Sequence, residues 1–376
     1  MKAIAITPGT KNLRLVDRAE PHLDAPDAIK MAVRYVGICG TDREEARGGR
    51  AKAPEGQQDL VVGHEMMGQV VEVGSAVTRV RPGDFAVFTV RRGCGHCMPC
   101  AMNRSDMCET GGYLERGIWG LDGYQAETVV DREMYVVRVP PAIEPLAVLT
   151  EPLTIVEKAI DEAVALQVKR LPDASTSPNW LSGRTCLVAG LGPVGLLAAM
   201  VLRLRGAEVL GLDVVDANTA RPTWLTGIGG RYIDGRQVKA DQIAAEYGGG
   251  VDLIVEAAGI PQVEFDLLEA LGVNGAYVLT GIPAQGPPLT LPAGDFIRRL
   301  VLRNQVMLGS VNAARGHFEQ AVQDLERAHQ QWADHTARLI THRHRFDDVG
   351  SALAHHGADE IKVVVEWNGG GTAAHV

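Results

Sequence analysis

The sequence predicts an α/β protein in which a doubly wound parallel sheet is joined to a second, β-rich domain. Three observations carry this reading. From Thr185 onward, apolar strand-type runs alternate with helical ones, the signature of βαβ units and a parallel sheet covered by helices. Between Met1 and Val139, short β-type runs are punctuated by Gly and Pro instead. The chain is 376 residues long, which at roughly 100–200 residues per domain suits two domains with separate cores.

Taken in order, the β-rich part holds AIKMAVRYVGI, DLVVGHEMMGQVVEVG, DFAVFTV and EMYVVRVP. Near Glu151 the texture changes: TEPLTIVEKAIDEAVALQ has apolar residues at helical spacing and predicts a linking helix. LPDASTSPNWLSGR, rich in Pro, Ser and Asp, reads as a surface loop. Then come TCLVAG, PVGLLAAMVLRLRG, EVLGLDVV, DLIVEAAG, VEFDLLEALG, AYVLTGI and QVMLGSV, the alternating part. IKVVVEW is an apolar strand that can return to the first domain, and the tail NGGGTAAHV reads as disordered. The expected divisions are residues 1–155, 156–312 and a return segment 313–376 that completes the first domain.

Composition narrows the partners. A net charge of −9 with no basic stripe argues against nucleic acid. The run Cys186–Leu202 approaches the length of a membrane span, but Gly190, Gly192, Pro193 and Gly195 interrupt it, so strand, turn and helix are expected and no membrane association. MKAIAITPGTK lacks the apolar run of a secretory signal, which points to the cytoplasm.

Gly190, Gly192 and Gly195, with Pro193 and Val194 between them, form G-L-G-P-V-G directly after a β-type run and before an amphipathic helix. That is the context of a Rossmann-type dinucleotide site: one glycine for the tight turn, one for approach of the pyrophosphate, one for packing of helix on strand. An ordinary βα turn is the plainer alternative. Asp213 ends the next strand at about the distance where a carboxylate accepts from the ribose 2′-hydroxyl and repels a 2′-phosphate. NAD is therefore expected in preference to NADP, although Arg221 is not far along the chain.

Four of six cysteines, Cys94, Cys97, Cys100 and Cys108, fall in a lobe spanning residues 92–109. Four thiolates can close a tetrahedral shell around a structural zinc; an iron–sulfur cluster or metal-free thiols are the alternatives. Cys39 in GICGTD and His64 with Glu65 in VGHE occupy Gly-flanked turns, and Glu151 opens the linking helix. One thiolate, one imidazole and carboxylates can hold a zinc with an open position. Taken alone, Cys39 would read as a small buried hydrophobe and His64 as a core residue.

GICGTD, VVGHEMMGQVVEVG, VRPGD, the four-cysteine lobe and GLGPVG stand in the order and spacing of the zinc-dependent medium-chain dehydrogenase/reductase superfamily, which the chain resembles over nearly its whole length. RRGCGHC, DMCETG, ERGI, DGY, EPL-x-x-x-EKA, SVN and EIKVVVEW resemble its glucose (aldose) 1-dehydrogenase branch. The resemblance implies a GroES-like catalytic domain, one structural and one catalytic zinc, and hydride transfer from C1 of an aldose, D-glucose first, to NAD or NADP, giving an aldonolactone. It places Cys39 and His64 on the catalytic zinc, with Glu65 and Glu151 as exchangeable ligands. Thr41 matches the hydroxyl that passes the substrate proton on, and Asp42 the acid that orients the His ligand. Glu115 and Asn312 match sugar-hydroxyl contacts.

Three positions depart from relatives. Glu44 stands where some alcohol dehydrogenases have a relay His, Ile155 where an archaeal relative has a sugar-contacting acid, and Asp213 where NADP users have Asn and Arg nearby. The competing enzyme reading is a polyol or simple alcohol dehydrogenase, and the non-enzymatic one a zinc-stabilised nucleotide-sensing scaffold. The resemblance also implies a homodimer or homotetramer, with NQVMLGSV as the place to look. His342, His344, His355 and His356 do not form a metal set on this reading.

Overall fold

Alternation of apolar and polar residues builds the first part of the chain into mainly antiparallel sheets. The computed structural model describes residues 1–176, 179–284, 286–354 and 357–367. One unit comprises Met1–Thr154, Asn312–His329 and the chain from Ile340 onward; the other comprises Ile155–Val311 and Gln330–Leu339.

In the first unit β1 (Lys2–Ile6) lies between β2 (Leu13–Asp17) and β4 (Leu60–Val61). β3 (Ala28–Gly37) pairs antiparallel with β5 (Glu65–Val73) and with β10 (Thr128–Arg132). It is buried nearly throughout because both faces carry apolar side chains, among them Ile29, Met31, Val33 and Val36. Helix α1 (Gly40–Glu45) follows it. β5 continues to β6 (Phe85–Phe88) and that to β11 (Val136–Val139). A small separate sheet holds β7 (Arg91–Arg92), β8 (Leu114–Arg116) and β9 (Gly120–Leu121), with the short helix α2 (Met98–Ala101) in the cysteine lobe.

Helix α3 (Thr150–Arg170) is the expected linking helix. The stretch expected as a surface loop instead begins with helix α4 (Pro172–Thr176), and Ala174, Trp180 and Leu181 are buried. Pro172 and Asp173 explain it, since a fixed φ and an acid suit the first turn. The second unit's sheet holds β12 (Thr185–Ala189), β13 (Glu208–Asp213), β14 (Arg231–Asp234), β15 (Val251–Glu256), β16 (Leu271–Leu279) and β17 (Val306–Gly309). All pairs are parallel, in the order β14-β13-β12-β15-β16-β17. The direction of winding reverses between β12 and β15, so the crevice at their carboxyl ends is a topological switch point. The expected doubly wound α/β fold is thus present. The run Cys186–Leu202 divides into β12, a turn and helix α5 (Pro193–Leu204). Among the described residues no helix is long and apolar enough to cross a membrane.

A helical stretch over Arg315–Ala337 follows, kinked at Ala333, whose φ of +21° is not helical. Its signal is the helical spacing of the buried Phe318, Ala321, Val322, Leu325 and Ala328. β18 (Ile340–Arg345) and β19 (Lys362–Glu366) then complete the first unit's large sheet, β19 pairing with β3. The expected return of IKVVVEW takes this form. His355, His356 and the tail NGGGTAAHV lie outside the described residues. His342 and His344 stand on β18, where His344 Nδ1 is 3.1 Å from Asp348 and His342 Nε2 3.8 Å from Asp359.

Candidate active site

The glycine turn connects β12 to α5. Gly190 has φ +85°, and a Cβ there would lie 2.9 Å from the Ala258 nitrogen and 3.0 Å from the Ala257 carbonyl carbon. No L side chain fits that turn. A Cβ on Gly195 would sit 1.8 Å from the Gly190 oxygen, so helix and turn touch backbone to backbone. Gly192 is the opposite case, with nothing within 4 Å of its Cβ position. Pro193 then starts α5 with its φ fixed and no N–H to satisfy, and the first-turn amides that follow at Val194 and Gly195 are of the kind that can receive an anion. Asp213, at the tip of β13, accepts from the Leu191 amide (2.9 Å) and the Val214 amide (2.7 Å). Arg221 Nη1 lies 3.7 Å from the same carboxylate, closer than its place in the sequence suggests.

In the first unit Cys39 follows β3 and precedes α1, while His64 and Glu65 stand where β5 begins. One ligand atom from each of the three lies within 4.8 Å of the others. Asp42 fixes this turn by accepting the Cys39 amide (2.7 Å) through Oδ2, and its Oδ1 lies 3.6 Å from His64 Nδ1. Thr41 Oγ1 is 3.9 Å from Cys39 Sγ. Glu151 falls outside the group of three but close enough to exchange charge effects with His64, Glu65 and Asp42.

The electrostatics are those of an anionic site short of positive charge. Burial disfavours the imidazolium of His64, yet the negative charge of Asp42, Cys39 and Glu151 outweighs it and raises the pKa well above the ordinary value. Burial pushes the Glu151 carboxyl up to about 7, His64 opposing and Glu65 assisting. Asp42 is raised by burial too. His64 Nδ1 and Asp42 Oδ1 are buried with no hydrogen-bond partner among the described residues. A half-buried thiol beside a buried imidazole and carboxylate, with orphaned polar atoms, fits a zinc ion with an open position.

Two buried groups here were not read from the sequence. Lys362, on β19, is 2% exposed and ion-paired with Glu65. A Cβ on Gly37 would fall 2.1 Å from Glu65 Oε2 and 2.8 Å from Lys362 Cε, so glycine at that position makes the room for the pair. The available signal was a lysine opening the apolar run Val363–Val365, since Lys is almost never fully buried unless paired. Glu45, at the end of α1, is buried without a hydrogen-bond partner among the described residues, and burial together with Asp42 pushes it up to about 9. Nothing in the motif GICGTD marks it. Glu44, by contrast, is half exposed.

The four lobe sulfurs Cys94, Cys97, Cys100 and Cys108 also lie within 4.8 Å of one another. Hydrogen bonds from Thr110 and the amides of His96 and Cys97 pull Cys94 down to about 5. Thr110 and the Cys94 amide pull Cys108 to about 7, whereas burial and Cys97 push Cys100 up to about 12. Such a set suits a closed thiolate shell. Glu115, on β8, meets Asn312, whose Nδ2 is 2.5 Å from Glu115 Oε1. Ile155 lies one helical turn after Glu151 on α3.

Residues 25–141 match the alcohol dehydrogenase GroES-like domain, and residues 144–367 match the glucose dehydrogenase C-terminus. The chain belongs to the glucose dehydrogenase family of zinc-dependent medium-chain dehydrogenases. It is 40% identical to glucose 1-dehydrogenase 2 of Vulcanisaeta moutnovskia, covering 97% of this chain and 99% of the relative. The glucose 1-dehydrogenase of Methanocella arvoryzae is 37% identical over 97% and 99% of the two chains. Among solved structures, Haloferax mediterranei glucose dehydrogenase in complex with NADP, Zn and gluconolactone is 30% identical with a TM-score of 0.86, covering 98% of this chain and all of that one.

Replacing Lys362 by Met leaves Glu65 buried without its partner. Thermal melts of the metal-free protein are expected to show a loss of about 3–5 kcal/mol, with added zinc recovering more stability in the variant than in the parent. The lobe makes a separate prediction, tested with Cys39→Ser/His64→Ala to silence the other set. Near neutral pH Cys94 is already a thiolate and Cys100 a thiol, so calorimetry in two buffers should find fewer than four protons released per zinc, and more as pH falls toward the Cys108 and Cys94 values.

Proposed function

We propose that this chain oxidises C1 of an aldose, D-glucose first among them, with NAD preferred over NADP and with one catalytic and one structural zinc. Transfer of a hydride from an aldose to a nicotinamide cofactor, giving the aldonolactone, is the reaction of the family to which it belongs. The observation that carries the reading is the convergence of the half-buried Cys39 with the buried His64 and Glu65 in one group beside Thr41 and Asp42.

Cys39 and His64 would hold the catalytic zinc, with Glu65 and Glu151 as exchangeable ligands. A zinc so held supplies a Lewis acid that eases loss of the C1 hydroxyl proton, as it lowers the pKa of water from 15.7 to about 7. Thr41 takes that proton at Oγ1 and passes it on. Asp42 keeps the Cys39 turn in place through the Cys39 amide and faces His64, orienting the imidazole. Glu115 and Asn312 hold sugar hydroxyls, so the substrate reacts in one orientation. The Gly190–Gly195 turn receives pyrophosphate on its amides, and Asp213 accepts from the ribose. A nicotinamide dinucleotide, when bound, supplies the hydride acceptor. Hydrolysis of the lactone follows without these groups.

NAD preference rests on Asp213. The Haloferax relative was solved with NADP, whereas here a carboxylate is anchored at the strand tip by two backbone amides. A 2′-phosphate would meet that negative charge, and Arg221 at 3.7 Å is paired toward Asp213. Cytoplasmic location and a homodimer or homotetramer complete the proposal. We assign self-association to β17, which among the described residues ends its sheet beside β16, and to the preceding helix Ala293–Leu302 with its exposed Ile297, Val301 and Leu302.

Ile155 favours a second reading, a polyol or simple alcohol dehydrogenase, because an apolar side chain stands one turn from Glu151. Absorbance at 340 nm across aldoses, sorbitol, threonine and ethanol, with both cofactors, separates the two; ketose formation exceeding aldose oxidation would overturn the aldose reading. Metal analysis giving two zincs per chain and loss of turnover in Cys39→Ser removes the scaffold alternative. With glucose, kcat/KM is expected to be about tenfold or more higher for NAD than for NADP, and Asp213→Ala should reduce that ratio by a similar factor. Equal efficiency with both cofactors in the parent would refute the Asp213 argument.

A further inference from the structure

Arg91 is 8% exposed, and each of its three guanidinium nitrogens donates a hydrogen bond. Nε and Nη2 donate to Glu115 Oε1 at 3.1 and 2.9 Å, and Nη1 donates to the Asp106 carbonyl at 3.0 Å. Its face lies over the Tyr113 ring, 4.0 Å from the centroid. The strand register places Arg91 directly opposite Glu115 in the β7–β8 pair. Asn312 reaches the same carboxylate oxygen from a left-handed backbone conformation, φ +61°, and its own Oδ1 accepts from the Ala313 amide at 2.9 Å.

The consequence is a division of the Glu115 carboxylate. Oε1 receives three donors, while Oε2 accepts no hydrogen bond among the described residues. An ionised carboxylate offers acceptors only, and an amide nitrogen has two protons. With Oε1 saturated, the acceptor left for a ligand is Oε2. With Asn312 Oδ1 engaged and one amide proton on Glu115, the group left at Asn312 is a donor.

We infer that Arg91 is a positioning residue for sugar recognition: it fixes Glu115 by one oxygen so that the other faces a substrate hydroxyl, and it ties this contact to the four-cysteine lobe. The inference rests on the reading that Glu115 and Asn312 touch the sugar. It adds that the pair recognises a vicinal diol, one hydroxyl donating to Glu115 Oε2 and its neighbour accepting from Asn312 Nδ2. The tie to the lobe is the Asp106 carbonyl, which lies in the single helical turn Ser105–Met107 immediately before Cys108. Asp106 is itself buried and held by Arg104. Lysine cannot replace this arginine, because an ammonium is a point charge without a fork that reaches Glu115 and Asp106 together while stacking on an aromatic face.

The test compares Arg91→Lys, Glu115→Ala and the double variant as zinc-loaded full-length proteins, each checked by thermal melting. Initial rates are measured with glucose, with its monodeoxy analogues and with varied NAD. Arg91→Lys is expected to raise the KM for glucose about tenfold, with kcat and the KM for NAD within about twofold, and to shrink the discrimination between glucose and the deoxy analogue that lacks the recognised hydroxyl. The double variant should be no worse than Glu115→Ala, because the two residues act through one contact. An unchanged glucose KM in Arg91→Lys alongside a raised one in Glu115→Ala would overturn the role of Arg91 while leaving the sugar contact standing; so would additive effects in the double variant. An unchanged glucose KM in Glu115→Ala removes the sugar reading of that residue and the inference with it. Should Arg91→Lys melt too low to assay, Arg91→Gln, which keeps a donor without the charge, is measured against the same outcomes.

Discussion

Concentrated negative charge buried in a β core has to be balanced, and that constraint organises the first unit. Cys39, Asp42, Glu65 and Glu151 bring acid and thiol groups around one imidazole, in surroundings where an unpaired charge costs several kcal/mol. The protein supplies two answers from its own residues. His64 retains its proton more tightly than an ordinary histidine, and Lys362 lies against Glu65. Neither fully settles the site, since polar atoms on His64 and Asp42 remain orphaned. A divalent cation answers the same demand more completely, so metal affinity and the fold's stability draw on one electrostatic deficit.

The backbone arrangement follows from that need for close approach. β3 runs between β5 and β19, with Gly37 opposite both Glu65 and Val364. Only a missing side chain at Gly37 leaves space for a carboxylate and an ammonium at that crossing. The second unit uses absent side chains for a different purpose. There Gly190 packs on the Ala257–Ala258 peptide after β15, so the turns at the carboxyl ends of β12 and β15 abut at the point where the winding reverses. Backbone amides, not side chains, then form the surface on which an anion can rest.

Much of this was legible because it is local. The glycine turn, the cysteine lobe, GICGTD and VGHE each place their chemistry within a few residues, and the alternation after Thr185 declares the parallel sheet. What escaped is non-local or is carried by ordinary residue types. Lys362 acquires its role from the pairing of β19 with β3, and Arg91 from the register of β7 against β8. Glu45 looks like any acid at the end of a short helix until its burial is known. The helix Arg315–Ala337 is a different kind of omission: its apolar spacing was present, but no motif drew attention to it. The stretch after Leu171 misled because Pro and Ser serve loops and helix starts alike.

The two carboxylates that matter most, Glu65 and Glu115, are treated in opposite ways by their cationic neighbours. Lys362 is a compact charge, and Glu65 is buried with it at a position where a metal ion would compete for the same carboxylate. A point charge gives that competition no geometric preference, so the carboxylate is free to exchange partners. Arg91 is a planar fork bound at three sides, by Glu115, the Asp106 carbonyl and the Tyr113 ring. It denies Glu115 any such freedom. On the proposed reading of the site, the carboxylate that would exchange at a metal is paired with lysine and the one that would recognise substrate is held by arginine, so the choice of cation at each place would separate metal chemistry from substrate selection.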